Sequence, residues 1–422
     1  MNSNRTAILI AFVLALPGLI LGLPHIVAFV TGGAVHVPWS GASFGLVTDT
    51  SLFGLSIVAA AFLLSWAAEA SEMEITQGLA VAFVALIAVL PEYTVDMSYA
   101  WKAGQDPVFA QYAVANMTGG NRLLIGAAWP ILVFILWART GAKALVLERS
   151  YSIEVISLAV VALYALHIPF KGSIELYDAV VLTAAFVVYM WLVSRVPSEE
   201  PELVGPARLI GTLPRKQRRF ALLGMFAYAA LAILASAEPF AEGLVHSGTQ
   251  LGLDEFLLVQ WIAPLASESP EFLVAGILAY RGRASVGMGA LLSSKVNQWT
   301  LLVGGLPVVY AISAGGFGGL HLDDRQTEEV LLTAAQTMFA VAVMLSLSLS
   351  LFEAGALFAL FSLTFFLPST EVRLALSGVY LLLAAGIVIR QRVELPRIWR
   401  SAKETLTQIK EGSASHTGGT HH

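Results

Sequence analysis

The 422-residue sequence contains no cysteine. That absence removes disulfides, thiolate metal sites, iron–sulfur clusters and cysteine nucleophiles together. Charge is scarce too: Asp, Glu, Lys and Arg make up 13% of the chain against 57% hydrophobic residues, and the mean hydropathy is +0.75. Soluble domains carry roughly twice that charged share. The net charge is only -5 and the basic residues lie mostly in connections between apolar runs, so nucleic acid is a poor partner. No Walker sequence, dinucleotide fingerprint or Ser/His/Asp arrangement occurs, which argues against an ATP-driven pump, an oxidoreductase or another enzyme. Histidines do not gather. His25, His36, His167, His246 and His321 fall near helix ends or in loops, and His416, His421 and His422 in a low-complexity tail, which gives a zinc or copper site no support. No resident cofactor is expected.

What is present is lipid-soluble length. Apolar stretches of spanning size fall near 7–29, 44–68, 76–101, 109–138, 153–168, 174–194, 218–237, 255–280, 286–314, 330–349, 352–368 and 373–389, an all-α polytopic membrane protein of about 12 spans. The stretches 109–138 and 286–314 are longer than a straight span needs and are interrupted by glycines and polar residues. They predict tilted or locally unwound helices beside a cavity. With the N-terminus inside, the inner connections hold nearly all loop Lys and Arg, and the outer ones only Lys102, Lys171, Arg325 and Arg373. This bias places both termini in the cytoplasm and the chain in the cell membrane, with lipid as its surroundings. Arg122 and Lys295 remain inside spans.

The chain also repeats itself. A-L-I-A-V-L-P-E-Y-T-V-D at 85–96 answers A-P-L-A-S-E-S-P-E-F-L-V-A at 263–275, so Pro91 and Glu92 correspond to Pro270 and Glu271. A-N-M-T-G-G-N-R-L-L-I-G at 115–126 aligns without gaps on S-S-K-V-N-Q-W-T-L-L-V-G at 293–304. The expected division is an extra helix and outer loop (1–43), a five-helix copy (44–194), a basic cytoplasmic linker (195–217) and a second copy (218–368). An extra helix with a basic end (369–400) and a flexible tail (401–422) complete it. An odd number of spans per copy inverts the second, so Glu92 and Glu271 can meet at midmembrane, an arrangement that supports alternating access.

Carboxylates inside membrane helices are costly unless something positive visits them. Glu92 and Asp96 are one turn apart and share a face, as do Glu268 and Glu271. Proline before each glutamate disturbs the preceding turn and frees carbonyls. Carboxylates, carbonyls, Asn and Ser are the oxygen donors that a hard cation such as Ca²⁺ takes. The candidate metal ligands are Glu92, Glu271, Asp96 and Glu268, with Asn116, Ser267, Ser269, Ser294, Asn297 and, on the same polar stretch, Asn121. Arg122 and Lys295 are candidate charge modulators. Their competing role is to balance Glu92 and Glu271 as structural pairs. Gly119 and Gly120 read as close-packing glycines.

With its Pro-Glu pairs and the motif that follows each, the sequence resembles the cation/calcium exchanger superfamily, which includes sodium/calcium and proton/calcium antiporters. L-P-E at 90–92 and S-P-E at 269–271 match its first motif; V-A-N at 114–116 and S-S-K at 293–295 stand for the second. The resemblance covers most of 44–368 and implies secondary antiport of Ca²⁺ or a related cation against Na⁺ or H⁺, with Glu92 and Glu271 as the central pair. Asn116 then corresponds to Lys295 at the glutamates' offset, or to Ser294 at the motif's own. Lys295 stands where the family has an amide, and Ala88 and Val89 where it has Ser or Thr. A cation channel is the transport alternative, and an intramembrane acid-dependent hydrolase a more distant one.

Overall fold

The computed structural model describes residues 2–31, 44–71, 73–74, 90–195, 203–367, 369–392 and 396–400. His36, the first part of the expected 76–101 span with Ala88 and Val89, and the 401–422 tail with its histidines lie outside the described residues.

Helices dominate: α1 (Asn2–Thr31), α2 (Leu46–Ser71), α3 (Leu90–Ala103), α4 (Ala110–Leu123), α5 (Trp129–Thr140), α6 (Ser152–Ala165), α7 (Leu176–Val193) and α8 (Gly205–Gly211). They continue with α9 (Arg215–Leu251), α10 (Glu255–Tyr280), α11 (Ala284–Asn297), α12 (Val303–Ala314), α13 (Asp324–Met344), α14 (Leu351–Phe366) and α15 (Thr370–Arg390). Local chemistry sets several ends. Glu175 with Asp178 and Ser350 with Glu353 form capping boxes before α7 and α14, and Asp323 accepts from Gln326 N at 2.7 Å before α13. Gly141 after α5 and Gly315 after α12 adopt φ of 74° and 67°, a conformation that glycine takes without a Cβ penalty.

Seven of these segments are, among the described residues, long and apolar enough to cross a membrane: Ser3–Pro24, Leu46–Ser71, Pro107–Thr140, Arg149–Lys171, Leu176–Val193, Arg215–Leu251 and Thr370–Arg390. This is an integral membrane protein. The first turns of α13 carry Asp324, Arg325, Glu328 and Glu329, and α14 has only 16 residues, so both fall outside that set.

Two long stretches are interrupted as their sequence implied, and the interruption has a definite form. Leu124–Ala128 between α4 and α5, and Gln298–Leu302 between α11 and α12, are π-helical turns that each widen the helix. Other expectations need correction. The span placed at 218–237 belongs to a 37-residue helix running to Leu251. The basic linker contains α8, with Ala207 and Ile210 buried. The all-helical expectation missed four short strands among the described residues, of which β1 (Ala144–Val146) pairs antiparallel with β2 (Ser348–Ser350), Leu145 opposite Leu349.

The chain forms two compact units, neither continuous in sequence: 1–120, 201–273 and 305–320 in the first, and 121–200, 274–304 and 321–422 in the second. The first has a small-residue core in which Ala59, Ala60, Leu63 and Ala67 of α2 meet Ala229, Ala232 and Ile233 of α9 and Ala11 and Ala15 of α1. Small side chains let helices approach closely where lipid removes any hydrophobic drive. Gly22 shows how close, since a Cβ there would overlap the Ala235 carbonyl. The second unit is packed around large side chains, with Trp129, Trp299, Tyr189 and Tyr380 fully or nearly fully buried.

Candidate functional site

The first unit holds the carboxylates. Pro91 is buried in the first turn of α3, Glu92 beside it is 4% exposed and Asp96, one turn on, is fully buried. From α4, Asn116 Nδ2 donates to Asp96 Oδ1 at 2.9 Å. Asp96 Oδ2 and Asn116 Oδ1 make no hydrogen bond among the described residues. Two buried acceptors in that condition are costly until a proton or cation reaches them.

One turn further along α4 comes Gly120. A Cβ on Gly120 would overlap Glu268 Oε1 of α10 and stand 3.2 Å from Glu92 Oε1. Carboxylates from α3 and α10 therefore converge on bare α4 backbone. Gly119 is different: its missing Cβ makes room for the Gln260 carbonyl, so α4 and α10 touch backbone to backbone. Gln260 Nε2 also reaches Thr118 Oγ1 at 3.5 Å. Ser267 is buried and its hydroxyl turns back to Ala263 O at 3.2 Å and Pro264 O at 3.4 Å, leaving lone pairs rather than its proton to offer. Glu271, three residues past Glu268 in α10, is half-buried. Among the described residues no three or more His, Cys, Asp and Glu side chains form a metal-holding group. A hard cation here would complete its shell with neutral oxygens such as Asn116 Oδ1.

Ser294, Lys295 and Asn297 belong to the second unit. Lys295 is fully buried and donates to Asn121 O at 2.6 Å and to Asn121 Oδ1, with its Nζ 5.6 Å from the Trp299 ring centre. A carbonyl, an amide and an aromatic face hold the ammonium. Ser294 Oγ makes no hydrogen bond among the described residues, and Asn297 is buried. Arg122 forms a buried ion pair with Glu329. Gln336 Nε2 donates to the Arg122 carbonyl at 3.3 Å. Arg373, expected in an outer loop, is instead buried in α15, with Nη2 2.8 Å from Glu328 and Nε 3.9 Å from Glu329. Sequence reasoning missed Glu329; two adjacent acids at the head of an apolar run were the available signal.

The helix breaks give their own register. Segments of 14, 5 and 12 residues build 110–140, and segments of 14, 5 and 12 build 284–314. Aligned on the π turns, Asn121 falls on Lys295 and Arg122 on Val296. G-G-N at 119–121 then answers S-S-K at 293–295, five residues away from the V-A-N match.

With this geometry in view, known proteins give a consistent comparison. The family model for the sodium/calcium exchanger protein matches residues 8–195 and 221–391. The chain belongs to the sodium/calcium exchanger family. The solved structure of an H⁺/Ca²⁺ exchanger, CAX, is 43% identical, with a TM-score of 0.84 over 93% of this chain and 98% of that one. Native YfkE is 12% identical with a TM-score of 0.58, covering 88% of this chain and 99% of its own. A sodium-calcium exchanger, NCX_Mj, is 16% identical with a TM-score of 0.51, covering 76% and 98%. These last two likenesses are of fold. No curated protein sequence matches the chain.

Proposed function

We propose that this exchanger-family protein moves Ca²⁺ in one direction and H⁺ in the other by alternating access, with Na⁺ as the alternative counter-ion. Its carboxylates hold either a cation or protons. The convergence of Glu92 and Glu268 on Gly120, beside the half-satisfied Asp96–Asn116 pair, carries this reading. The 43% identical relative, an H⁺/Ca²⁺ exchanger, supports the choice of ions.

In this reading Glu92 and Glu271 are the central ion ligands, Glu268 and Asp96 add charge, and Asn116 and Ser267 add neutral oxygen. When the cation leaves, protons or sodium must replace it, because uncompensated carboxylates are expensive in a closed, low-dielectric site. Ser294 and Asn297 are assigned as ligands from the second copy. Lys295 and Arg122 modulate the charge of the site, and the bonds of Lys295 to Asn121 give it a role in holding helix geometry. Residues 44–194 and 218–368 are the inverted copies, with further helices at 1–43 and 369–400, 12 spans in all and both termini cytoplasmic in the cell membrane. The matching helix–π–helix lengths support that division.

The test is flux in proteoliposomes under opposing gradients of Ca²⁺, Na⁺ and H⁺. Saturable Ca²⁺ uptake driven by an outward proton gradient, with counterflow, is expected. Large unitary currents without counterflow would make it a channel and reject exchange.

A further inference from the structure

The second unit buries a carboxylate that the exchange site does not use. Glu154 lies in α6, is 7% exposed, and sits in a segment long and apolar enough to span a membrane. Among the described residues it forms no ion pair, and its Oε2 makes no hydrogen bond. Tyr189 of α7 lies within its electrostatic reach, and the Tyr189 hydroxyl is 2.7 Å from Ser293 Oγ of α11.

The other ionisable groups on the elements packed against α6 can be named. On α11, Lys295 is bonded to Asn121. On α13, Glu329 is paired with Arg122 and Glu328 with Arg373, while Asp324 and Arg325 stand at its start. On α7, Asp178 takes Tyr164 at 2.6 Å and Lys171, and Tyr177 accepts from Lys171 at 2.7 Å. Arg149 and Tyr151 precede α6 itself. None of the arginines or lysines is ion-paired with Glu154.

The two-copy reading explains why this is unusual. The capping boxes begin at Glu175 and Ser350, and the left-handed positions before them are Gly172 at φ 66° and Leu347 at φ 52°, the same separation each time. At that separation Glu154 falls on Glu329. Glu329 is neutralised by Arg122, and the π-turn register aligns Arg122 with Val296, which is fully buried. One copy pairs its acid with an arginine; in the other the corresponding position is a valine. A buried carboxylate with no cation beside it and one oxygen unsatisfied is disfavoured, and the group takes a proton instead.

We propose that Glu154 is a proton-binding site, a carboxyl that holds a proton where Glu329 holds an arginine and releases it during exchange. Its protonation stands on the geometry; only its use in turnover rests on the antiport reading.

Infrared difference spectroscopy of the purified protein across pH, with and without Ca²⁺, tests both parts alongside flux in proteoliposomes. A protonated-carboxyl stretch that responds to Ca²⁺ is expected, and Glu154→Gln and Val296→Arg should both remove it. In flux, Glu154→Gln should reduce the slope of log rate against pH by about one. A spectrum unchanged by Glu154→Gln would overturn the site. A band that disappears while the pH slope stays at its wild-type value would leave a static buried acid and overturn the proton-carrying role. Failure of Ca²⁺/H⁺ exchange in the wild type would count against the antiport reading and leave the spectroscopic result to decide the site.

Discussion

Asn116 donates to Asp96 at 2.9 Å between α4 and α3, which fixes one carboxylate oxygen and leaves the other as a buried acceptor. Asn116→Ala removes the donor and strands Asp96, at a cost of about 1–3 kcal/mol. The expected outcome is a lower thermal midpoint together with about tenfold weaker apparent Ca²⁺ affinity, which corresponds to about 1.4 kcal/mol. Asn116→Asp should retain more stability in Ca²⁺ than in its absence. A Ca²⁺-dependent thermal shift assay on the purified variants checks both.

Adjacent glycines should separate ion binding from packing. Gly120→Ala pushes a methyl into Glu268 and Glu92, whose side chains are the ones that must give way, so Ca²⁺ affinity falls while the fold loses about 1–3 kcal/mol. Gly119→Ala meets the Gln260 carbonyl, so the backbone itself must shift and stability falls more. Gly224→Ala, with nothing within 4 Å, should be neutral or stabilising by up to about 1 kcal/mol. Thermal midpoints and Ca²⁺ titrations of the three variants rank them.

Arg122 and Glu329 are a buried pair, and breaking one side leaves a charge without its partner. Arg122→Met should cost about 3–5 kcal/mol, and Arg122→Met with Glu329→Leu should recover most of it. A double-mutant cycle on thermal midpoints measures the coupling.

Past the end of α2, Glu74 is paired with Arg218 and faces two further arginines, with Arg219 Nε at 2.6 Å and Arg215 Nε at 3.5 Å. The hydrogen bond from Arg219, opposed by burial and reinforced by Arg218, holds the Glu74 carboxyl down from 4.5 to about 2. A lowered value stabilises the folded state above the unfolded pKa and is lost as pH falls through the folded one. Glu74→Gln should therefore lower the midpoint at pH 7, by no more than about 1 kcal/mol because two of the three arginines are exposed, and the difference should close below pH 4.5. Melting curves from pH 3 to pH 7 give the answer.

The membrane class and the two interrupted helices were legible because each is a local pattern: a long apolar run, or a glycine-rich break. The register of the second motif was not. The start of α4 lies 18 residues beyond Glu92 and the start of α11 only 13 beyond Glu271, so an alignment carried over from the glutamates slips by five residues. The glutamates' offset puts Asn116 against Lys295, and alignment on the π turns puts Asn121 there. Partners were the other blind spot. Spacing can put Glu92 and Asp96 on one face, but the acid that meets Arg122 lies 207 residues away in the chain, and only packing reveals it. Gly120 looked like its neighbour Gly119 for the same reason.

Ca²⁺ counterflow by Glu92→Gln in proteoliposomes tests the central claim most directly. The variant should reconstitute and melt like the wild type yet exchange no Ca²⁺ above empty vesicles. Counterflow at the wild-type rate, from a variant with no charge at that position, would show that these carboxylates do not carry the ion.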